Sequence, residues 1–380
     1  MNFVEITGII AEYNPFHNGH KYQIEKAKEK SDAIVVIMSG SFVQRGEIAI
    51  TDKWTRAGEA LKNGADLVVE LPTIYSLNTA QKFAKGAVEI LNRTGVVNKL
   101  CFGSENGDIN KLKNAGRLLY DEPLEVSEKI KKYVGEGMSY AAARTKAYEG
   151  YIDIDILSNP NNILAVEYIR ALMETESDIE PFTIKRCGTG YNDMHTSGDI
   201  ASATAIRNMV FNSEDFGKYT TSDNFEIYNK NGLDSAVIAY LRTIDASSLA
   251  LINDVGEGLE NRIKDAAMKC TSVDEMCDMV TTKRYPKSKI QRIVFSSLLG
   301  LTKEICEKEC NYLRVLGMND VGKEILRDIK RKSQLNIITK AADYRVEDEV
   351  FKKDILATDL FALCAQKAAG MDYVNSPVII

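Results

Sequence analysis

Short apolar runs alternate with helix-like segments through the first third of this 380-residue chain. The runs are rich in Val, Ile and Leu, which is typical of strands buried on both faces of a sheet. They are residues 4–11, 33–38, 66–71 and 99–103. The segments between them have the spacing of amphipathic helices and are residues 20–30, 53–62 and 80–91. This order predicts an α/β fold with a doubly wound parallel sheet and ligands at the carboxyl ends of its strands.

The rest of the chain is mainly helical in pattern. Helical spacing runs through residues 110–175, and a further strand is predicted at 181–186. A glycine-rich loop at 187–199 and a helix that begins near Ser202 follow it, and beyond residue 216 strand signals are rare. The polar stretch at 212–224 predicts a boundary between an α/β domain, residues 1–215, and a mainly helical domain, residues 216–380. Helices of the second domain are predicted at 233–243, 273–281 and 287–299.

Composition narrows the class of protein. The chain is 44% apolar and 27% charged, as in ordinary globular proteins, and its longest apolar runs of about six residues fall far short of the ~20 that cross a bilayer. The first residues lack the basic region of a signal peptide, so we expect a cytoplasmic protein that does not enter a membrane. The seven cysteines are scattered without a C-x-x-C pair, which predicts buried free thiols rather than a zinc site.

Two of the chain's three histidines follow the first predicted strand, in His17-Asn18-Gly19-His20. A helix that starts after a strand favours an anion, because its first-turn N–H groups and its dipole attract negative charge. Gly19 allows a tight turn and close approach of a phosphate, and the two imidazoles can donate hydrogen bonds to phosphoryl oxygens. The alternative is that both histidines only cap the helix. No Walker A, G-x-G-x-x-G or G-x-S-x-G pattern is present.

A second predicted helix start carries small hydroxyl residues and an arginine. Ser202 and Thr204 can bind phosphate through side-chain and backbone donors, and Arg207 can reach the β- or γ-phosphate with two hydrogen bonds. Taken alone, this S-x-T-x-I-R pattern also fits an N-cap followed by a surface arginine. Together with the histidine motif, it predicts a nucleoside triphosphate site in which His17, His20 and Arg207 are catalytic.

This pair of motifs resembles the nucleotidyltransferase superfamily, which shares its H-x-G-H logic with class I aminoacyl-tRNA synthetases. The resemblance narrows to the bacterial tRNA(Met) cytidine acetate ligase family. It rests on stretches that span most of the chain: G-I-I-A-E-Y-N-P-F-H-N-G-H (8–20), M-S-G-S-F-V-Q-R-G-E (38–47), G-A-D-L-V-V-E-L-P (64–72), F-G-S-E-N-G-D (102–108), N-P-N-N-I-L (159–164) and T-K-R-Y (282–285).

The resemblance implies a Rossmann-like catalytic domain and an ATP-dependent ligase. Such an enzyme activates acetate as acetyl-adenylate with loss of pyrophosphate, and then acetylates the wobble cytidine of elongator tRNA(Met) to N4-acetylcytidine. ATP is consumed as a substrate, and Mg²⁺ is a candidate cofactor because triphosphate chemistry usually employs it, although no carboxylate pair marks a site. Motif matching implies ATP contacts at Ile10, Ala11, Glu12, Tyr13, Asn14, Pro15, Phe16, His17, Asn18, Gly19, His20, Lys21, Tyr22, Gln23, Gly103, Asn161 or Asn162, and Arg186.

Several of these residues have structural alternatives. Gly103 can be a turn glycine or a position where a side chain would obstruct adenosine. The amides of Asn161 and Asn162 can contact the nucleotide or cap a helix. Arg186 can pair with phosphate or be an exposed strand-end arginine, and His195 can help to bind pyrophosphate or be an ordinary loop histidine.

Polar residues that follow the second predicted strand face the same side of the sheet. Arg45 or Lys53 can hold the acetate carboxylate or the triphosphate, with Gln44 beside them. Asp52 can instead be the N-cap of the next helix. Trp54, the single tryptophan, is predicted to lie in the core rather than to stack on a base.

One segment reverses the charge of the chain. The formal net charge is −6, but residues 283–332 hold 13 Lys/Arg and 6 Asp/Glu, a net charge of +7 that leaves −13 for the remainder. A basic segment on an acidic body predicts a docking face for tRNA, although a solvated helical surface gives the same count. The predicted tRNA-binding residues are Lys283, Arg284, Lys287, Lys289 and Arg292, and a second basic cluster comprises Lys323, Arg327, Lys330, Arg331 and Lys332.

Two other functions fit parts of the pattern. A generic adenylyltransferase for a small phosphorylated cofactor precursor would share the sheet motifs, but it would not need the long helical extension with its basic segment. A non-catalytic RNA-binding protein on a nucleotide-binding fold would not need both phosphate motifs. The expected partners are therefore elongator tRNA(Met) and acetate, and no protein partner is predicted.

Overall fold

A computed structural model describes residues 5–186, 198–222, 225–256 and 258–380. One large sheet and one short hairpin contain its strands. They are Ile6–Ala11 (β1), Ala33–Ser39 (β2), Phe42–Val43 (β3), Glu47–Ile48 (β4), Leu67–Leu71 (β5), Lys99–Ser104 (β6), Glu180–Lys185 (β7), Tyr312–Met318 (β8), Asn336–Ile338 (β9) and Val378–Ile379 (β10).

Helices cover both faces of the sheet and form most of the region after residue 216. They are Asn18–Lys28 (α1), Lys53–Lys62 (α2), Thr73–Ser76 (α3), Ala80–Arg93 (α4), Ile109–Tyr120 (α5), Leu124–Gly135 (α6), Tyr140–Ala147 (α7), Ile154–Ser158 (α8), Pro160–Glu174 (α9), Ala203–Phe211 (α10), Asp234–Thr243 (α11), Ala246–Ala250 (α12), Leu259–Ala267 (α13), Val273–Val280 (α14), Lys287–Leu299 (α15), Asp320–Lys332 (α16), Glu349–Ala362 (α17) and Met371–Val374 (α18).

The sheet has the strand order β10-β8-β5-β2-β1-β6-β7, with β9 paired to β8. From β5 to β7 all neighbours are parallel, which confirms the predicted doubly wound α/β fold. The chain moves from β1 to β2 and β5 on one side, and then crosses to β6 and β7 on the other. This reversal beside β1 opens a crevice at the carboxyl ends of β1 and β6, where doubly wound sheets bind their ligands.

The region after residue 216 is mainly helical, as predicted, but it also adds strands to the sheet. β8 runs antiparallel to β5, and β9 and β10 pair with β8 in parallel. The sequence prediction missed β8, because a charged residue, Arg314, interrupts its apolar run. Arg314 is buried beside Asp372, 3.4 Å away, which is distant in sequence. The sheet thus crosses the boundary predicted at residue 215, and the division into two domains stays a prediction.

A buried ionic cluster connects α2 to this C-terminal part. Lys53 Nζ lies 2.8 Å from Glu70 Oε2 on β5 and 2.9 Å from Asp372 Oδ1 on α18. Burial works to lower the pKa of Lys53, but Asp372 and Glu70 together outweigh it, and the pKa is raised. Lys53 is therefore a charged group that stabilises the core. It does not bind acetate or triphosphate, which was one of the two alternatives given in the sequence analysis. Trp54 is buried, as predicted.

The six cysteines within the described residues are free and buried, in agreement with the prediction of buried thiols. Asp52 is the N-cap of α2 and accepts a hydrogen bond from the Thr55 N–H at 2.8 Å. Within the described ranges, we find no helix whose length and apolar character would let it cross a membrane.

Candidate active site

The two predicted phosphate motifs meet in one cavity of about 380 Å³, a size typical of small-molecule sites. It lies at the carboxyl ends of β1 and β6, where the strand order reverses. Most predicted site residues line it: Ile10, Ala11, Glu12, Tyr13, Asn14, His17, His20, Gln23, Gly103, Asn161, Arg186, Ser202, Thr204 and Arg207. We call it the ATP cavity, after the ligand that the sequence analysis predicts for these residues.

The other predicted ATP contacts do not line this cavity: Pro15, Phe16, Asn18, Gly19, Lys21, Tyr22 and Asn162. Asn18 donates from Nδ2 to the carbonyl oxygens of Asp199 and Lys218, and so fixes the start of α1 to the chain near α10. Asn162 is buried and accepts the Asn106 N–H at 3.0 Å. Of the two candidate asparagines, Asn161 lines the cavity and Asn162 does not.

His17 and His20 cap α1 through one ring nitrogen each. The Gly19 N–H donates to His17 Nδ1 at 3.0 Å, and the His17 N–H donates to His20 Nδ1 at 3.3 Å. The two rings stack with their centroids 3.7 Å apart. Because each Nδ1 accepts a hydrogen bond, the proton of each neutral ring is on Nε2. Capping and ligand binding are thus compatible, since capping leaves Nε2–H as a donor.

Both imidazoles are neutral at pH 7. Burial, together with the smaller effect of the charges of Arg186 and Arg207, lowers the pKa of His17 to about 3. Burial also lowers the pKa of His20 well below its usual value, with His17 and Arg186 adding to the effect. The histidines therefore act as hydrogen-bond donors, and the positive charge near them comes from the arginines.

Gly19 also has a structural role that the sequence analysis did not include. It lies within the helical first turn of α1, and a Cβ there would lie 2.9 Å from Cε1 of His17. A side chain would therefore displace the His17 ring. At Gly103, a Cβ would lie 3.3 Å from Cγ of Arg186, so a side chain would press on that arginine at the cavity wall.

The second motif attaches α10 to the loop after β1. Ser202 is the N-cap of α10, and its Oγ accepts the Ala205 N–H at 3.1 Å. Arg207 donates from Nη1 to the Asn14 carbonyl at 2.8 Å, and its Nη2 lies 3.1 Å from Glu47 Oε2. Arg207 thus brings both motifs together. His195, the third predicted histidine, lies outside the described residues.

Arg56 is a buried arginine that the sequence prediction missed. It donates to the carbonyl oxygens of Glu12 (2.7 Å) and Ser39 (2.9 Å), and also to those of Thr51 and Gly40. It therefore binds together the chain segments that leave β1 and β2 at the cavity. Burial lowers the pKa of Arg56 to about 10, so it remains charged at pH 7. The sequence signal that could have identified Arg56 is the presence of a cation on the buried face of the predicted helix 53–62.

The β2 side of the ATP cavity combines polar and apolar groups. Gln44 and Arg45 line it, as the prediction for the acetate carboxylate requires. The Gln44 N–H donates to Glu12 Oε1 at 2.8 Å, and burial raises the pKa of Glu12. Buried aromatic side chains that the sequence prediction did not include complete the wall: Phe83, Phe102 and Tyr168. In the described parts of the chain, no three His, Cys, Asp or Glu side chains group as a metal site.

The basic segment is partly neutralised by acidic residues from neighbouring elements. Lys287 Nζ lies 2.6 Å from Asp278 on α14, and Lys289 and Arg292 lie 3.0 and 3.2 Å from Asp254. In the second cluster, three cations pair within α16: Lys323 with Asp320, Arg327 with Glu324, and Arg331 with Asp328. Arg292 also lines the ATP cavity. Binding of tRNA by this segment stays a prediction.

Known proteins share this fold and this sequence over nearly their full length. A family model described as HIGH Nucleotidyl Transferase matches residues 4–374. The tRNA(Met) cytidine acetate ligase of Thermoanaerobacter sp. is 42% identical, over 97% of this chain and 98% of its own. The enzyme of the same name from Clostridium acetobutylicum is 39% identical, over 99% of this chain and 100% of its own.

Solved structures agree with the sequence comparisons. Thermotoga maritima TmcAL bound with alpha-thio ATP has a TM-score of 0.90 and 31% identity, over 99% of this chain and 100% of that chain. Its apo form has a TM-score of 0.91 and 30% identity, with the same coverage. With both phosphate motifs at one cavity and relatives matched from end to end, this chain belongs to the tRNA(Met) cytidine acetate ligase family of HIGH nucleotidyl transferases.

Proposed function

We propose that this protein is an ATP-dependent ligase that activates acetate and transfers the acetyl group to the wobble cytidine of elongator tRNA(Met). The observation that carries the proposal is the meeting of both phosphate motifs in one cavity, with two neutral imidazoles that keep Nε2–H as a donor. The names of the relatives, and the alpha-thio ATP bound to the Thermotoga protein, support the same substrates. We place the protein in the cytoplasm, where tRNA is modified.

In the first half-reaction, a carboxylate oxygen of acetate attacks the α-phosphorus and pyrophosphate leaves. The protein supplies no nucleophile, and its contribution is to position ATP and to stabilise the charge that develops on the phosphates. His17 and His20 donate from Nε2 to phosphoryl oxygens, while Arg186 and Arg207 supply positive charge. Asn161 lies next to Arg186, with 3.4 Å between its Oδ1 and Arg186 Nη1, and is placed to contact the nucleoside.

Acetate binds on the β2 side of the ATP cavity. Arg45 is the cation that holds its carboxylate, and the aromatic wall around Phe83 accepts its methyl group. Any Mg²⁺ would arrive with the triphosphate, because such sites use few protein carboxylates. Glu12 fits that contact as a carboxylate at the cavity, and the bound ion would supply neutralisation of phosphate charge.

In the second half-reaction, the exocyclic amine of the cytidine attacks the acetyl carbonyl carbon. A carbon–nitrogen bond forms, the bond between the acetyl carbon and the phosphate oxygen breaks, AMP leaves, and the amine nitrogen releases one proton to solvent. The first step joins acetate to the α-phosphate and the second breaks that same linkage at the acetyl carbon, so the tRNA must present its base to the cavity that holds ATP.

The experiment is ATP–pyrophosphate exchange with acetate, formate or propionate as the acid. We expect exchange that depends on acetate, and slower exchange with propionate, because one methylene is worth roughly 10-fold or more in a fitted pocket. Exchange that does not depend on any small acid would contradict the proposal, and it would favour a nucleotidyltransferase with another acceptor.

A further inference from the structure

A second cavity, of about 170 Å³, lies beside the ATP cavity. It is enclosed by the β3–β4 hairpin, α10, residues 228–234, α14 and α15. Three residues line both cavities: Glu47, Thr204 and Arg207. The ion pair between Arg207 Nη2 and Glu47 Oε2, at 3.1 Å, therefore lies in the wall that the two cavities share.

The second cavity carries the groups that recognise a nucleobase. Asn231 and Gln291 offer amides, and Phe211 offers a ring that is 39% exposed. Cytosine presents an amine at N4 and acceptors at N3 and O2. Carboxylates accept from this amine, amides donate to the acceptors, and aromatic rings stack on the base. The carboxylate in the shared wall belongs to Glu47, and its ion pair uses only one of two oxygens.

The hairpin that carries Glu47 packs directly on α15. Gly46, at φ +77°, turns the hairpin so closely onto that helix that a Cβ would lie 2.4 Å from the backbone nitrogen of Arg292. Only glycine permits this approach. The predicted tRNA-binding helix and the shared wall are thus in direct backbone contact. α15 also contributes Gln291 and Phe295 to the lining of the second cavity, so an RNA docked on this helix would lie beside that cavity.

The second half-reaction requires the site of the base and the site of the acetyl group to be adjacent. Acyl transfer needs the amine nitrogen about 3–3.5 Å from the acetyl carbon, which is held beside the phosphates. A base in the second cavity presents its edge to Glu47, Thr204 and Arg207, two of which belong to the phosphate motif. Loop bases of RNA are commonly unstacked and inserted into such pockets.

We propose that the second cavity binds the acceptor cytosine of the RNA, and that Glu47 accepts a hydrogen bond from its exocyclic amine at the wall shared with the ATP cavity. The inference rests on the proposed function and extends it to the site that selects the base. Glu47 is then a specificity residue. Uracil, which has a carbonyl oxygen in place of the amine, is repelled by the carboxylate.

The test is binding of two synthetic anticodon stem-loop RNAs, which differ only in having cytidine or uridine at the wobble position. We expect the wild-type protein to bind the cytidine RNA roughly 10-fold more tightly, the scale of one specific base contact. Glu47→Gln should bring the two affinities close together, because glutamine both donates and accepts. Retained discrimination in Glu47→Gln, or none in the wild type, would overturn the proposal.

Asp274→Asn is the matched control. Asp274 lines only the second cavity, away from the shared wall, and its Oδ2 lies 3.3 Å from Lys230 Nζ. This variant loses a carboxylate of the same cavity but should keep the preference for cytidine. If Asp274→Asn abolishes the preference and Glu47→Gln does not, the base is oriented away from the ATP cavity and the proposal is wrong.

Phe211→Ala provides an independent variant with little risk to folding, because its ring is partly exposed. Loss of a stacking ring should weaken the binding of both RNAs by about 10-fold. The ratio of the two affinities should be preserved, since stacking is insensitive to base identity. Unchanged affinity for both RNAs would place the base elsewhere. These measurements need neither ATP nor acetate, so their failure is distinguishable from failure of the proposed function, which is absence of acetate-dependent pyrophosphate exchange in the wild type.

Discussion

The ATP cavity and the basic helix α15 are both rich in potential cations, but they use positive charge differently. In the cavity, burial keeps His17 and His20 neutral, and arginines beside them carry the charge. On α15, Lys287, Lys289 and Arg292 each pair with an aspartate. Directed donors therefore define the first region, whereas the second offers cations that already have protein partners.

The difference changes what each region can contribute. Preorganised donors in a buried site act on developing charge at no cost of reorganisation. Partly exposed ion pairs, by contrast, stabilise a fold by only about 0–1 kcal/mol, so RNA phosphates can compete for their cations. We therefore expect large effects from single changes in the cavity and moderate, salt-dependent effects from several changes on α15.

The largest expected effect is at the histidines. His17→Ala or His20→Ala should lower acetate-dependent ATP–pyrophosphate exchange by roughly 10²-fold or more, the scale of losing one preorganised donor. Circular dichroism and thermal melting would establish that the variants are folded. A folded variant with nearly wild-type exchange would remove the catalytic role and leave helix capping as the only function of that histidine.

The histidine motif after β1 was predictable from sequence because its parts are close together in the chain. The strand β1, the histidines and the start of α1 all lie within residues 6–28, where apolar runs and caps set the local structure. The pairing of Glu47 with Arg207 was not predictable, because the two are 160 residues apart and meet only when α10 packs on the hairpin. The same holds for Lys53, whose partner Asp372 is 319 residues away.

The strand β8 and the ion pairs of α15 show the other limit of sequence patterns. β8 lies in a helical region and contains a buried arginine. The continuous apolar run that predicted β1, β2 and β5 is therefore absent there. A count of charges in residues 283–332 gave +7, but it could not include Asp254 and Asp278, which lie outside that range and neutralise part of α15.

The next effect concerns the start of α15 and the basic residues that precede it. Combined reversal of Lys283, Arg284 and Lys287 to glutamate should weaken tRNA binding by about 10-fold and flatten its dependence on salt, because fewer counterions are released. The exchange reaction without tRNA should change much less. Affinity would be measured across a salt titration.

Reversal of Lys323, Arg327 and Arg331 on α16 is the matched control for that variant, because these cations pair within their own helix. Equal losses of affinity in both triple variants would show that tRNA binding follows net charge rather than the position of residues 283–287. If the variant at residues 283–287 binds tRNA as the wild type does at every salt concentration, tRNA docks elsewhere.

A smaller effect concerns stability against pH. The folded pKa of His17, about 3, lies below the usual value near 6.5, so the unfolded chain binds the proton more readily between these values. The neutral His17 ring therefore makes its full contribution to the free energy of unfolding above pH 6.5. This contribution is lost on acidification, by up to about 1.4 kcal/mol per pH unit. Urea unfolding of His17→Gln should show a shallower decline of stability in this window, and an identical slope would mean that folding does not lower the pKa of His17.

The most direct test of the whole account is the source of the acetyl group. Labelled acetate, ATP and elongator tRNA(Met) should yield N4-acetylcytidine at the wobble position, with one AMP and one pyrophosphate released for each acetyl group transferred. Acetyl-CoA without ATP should yield none. Acetylation from acetyl-CoA in the absence of ATP would contradict the account, because the ATP cavity and its two neutral histidines would then have no part in the reaction.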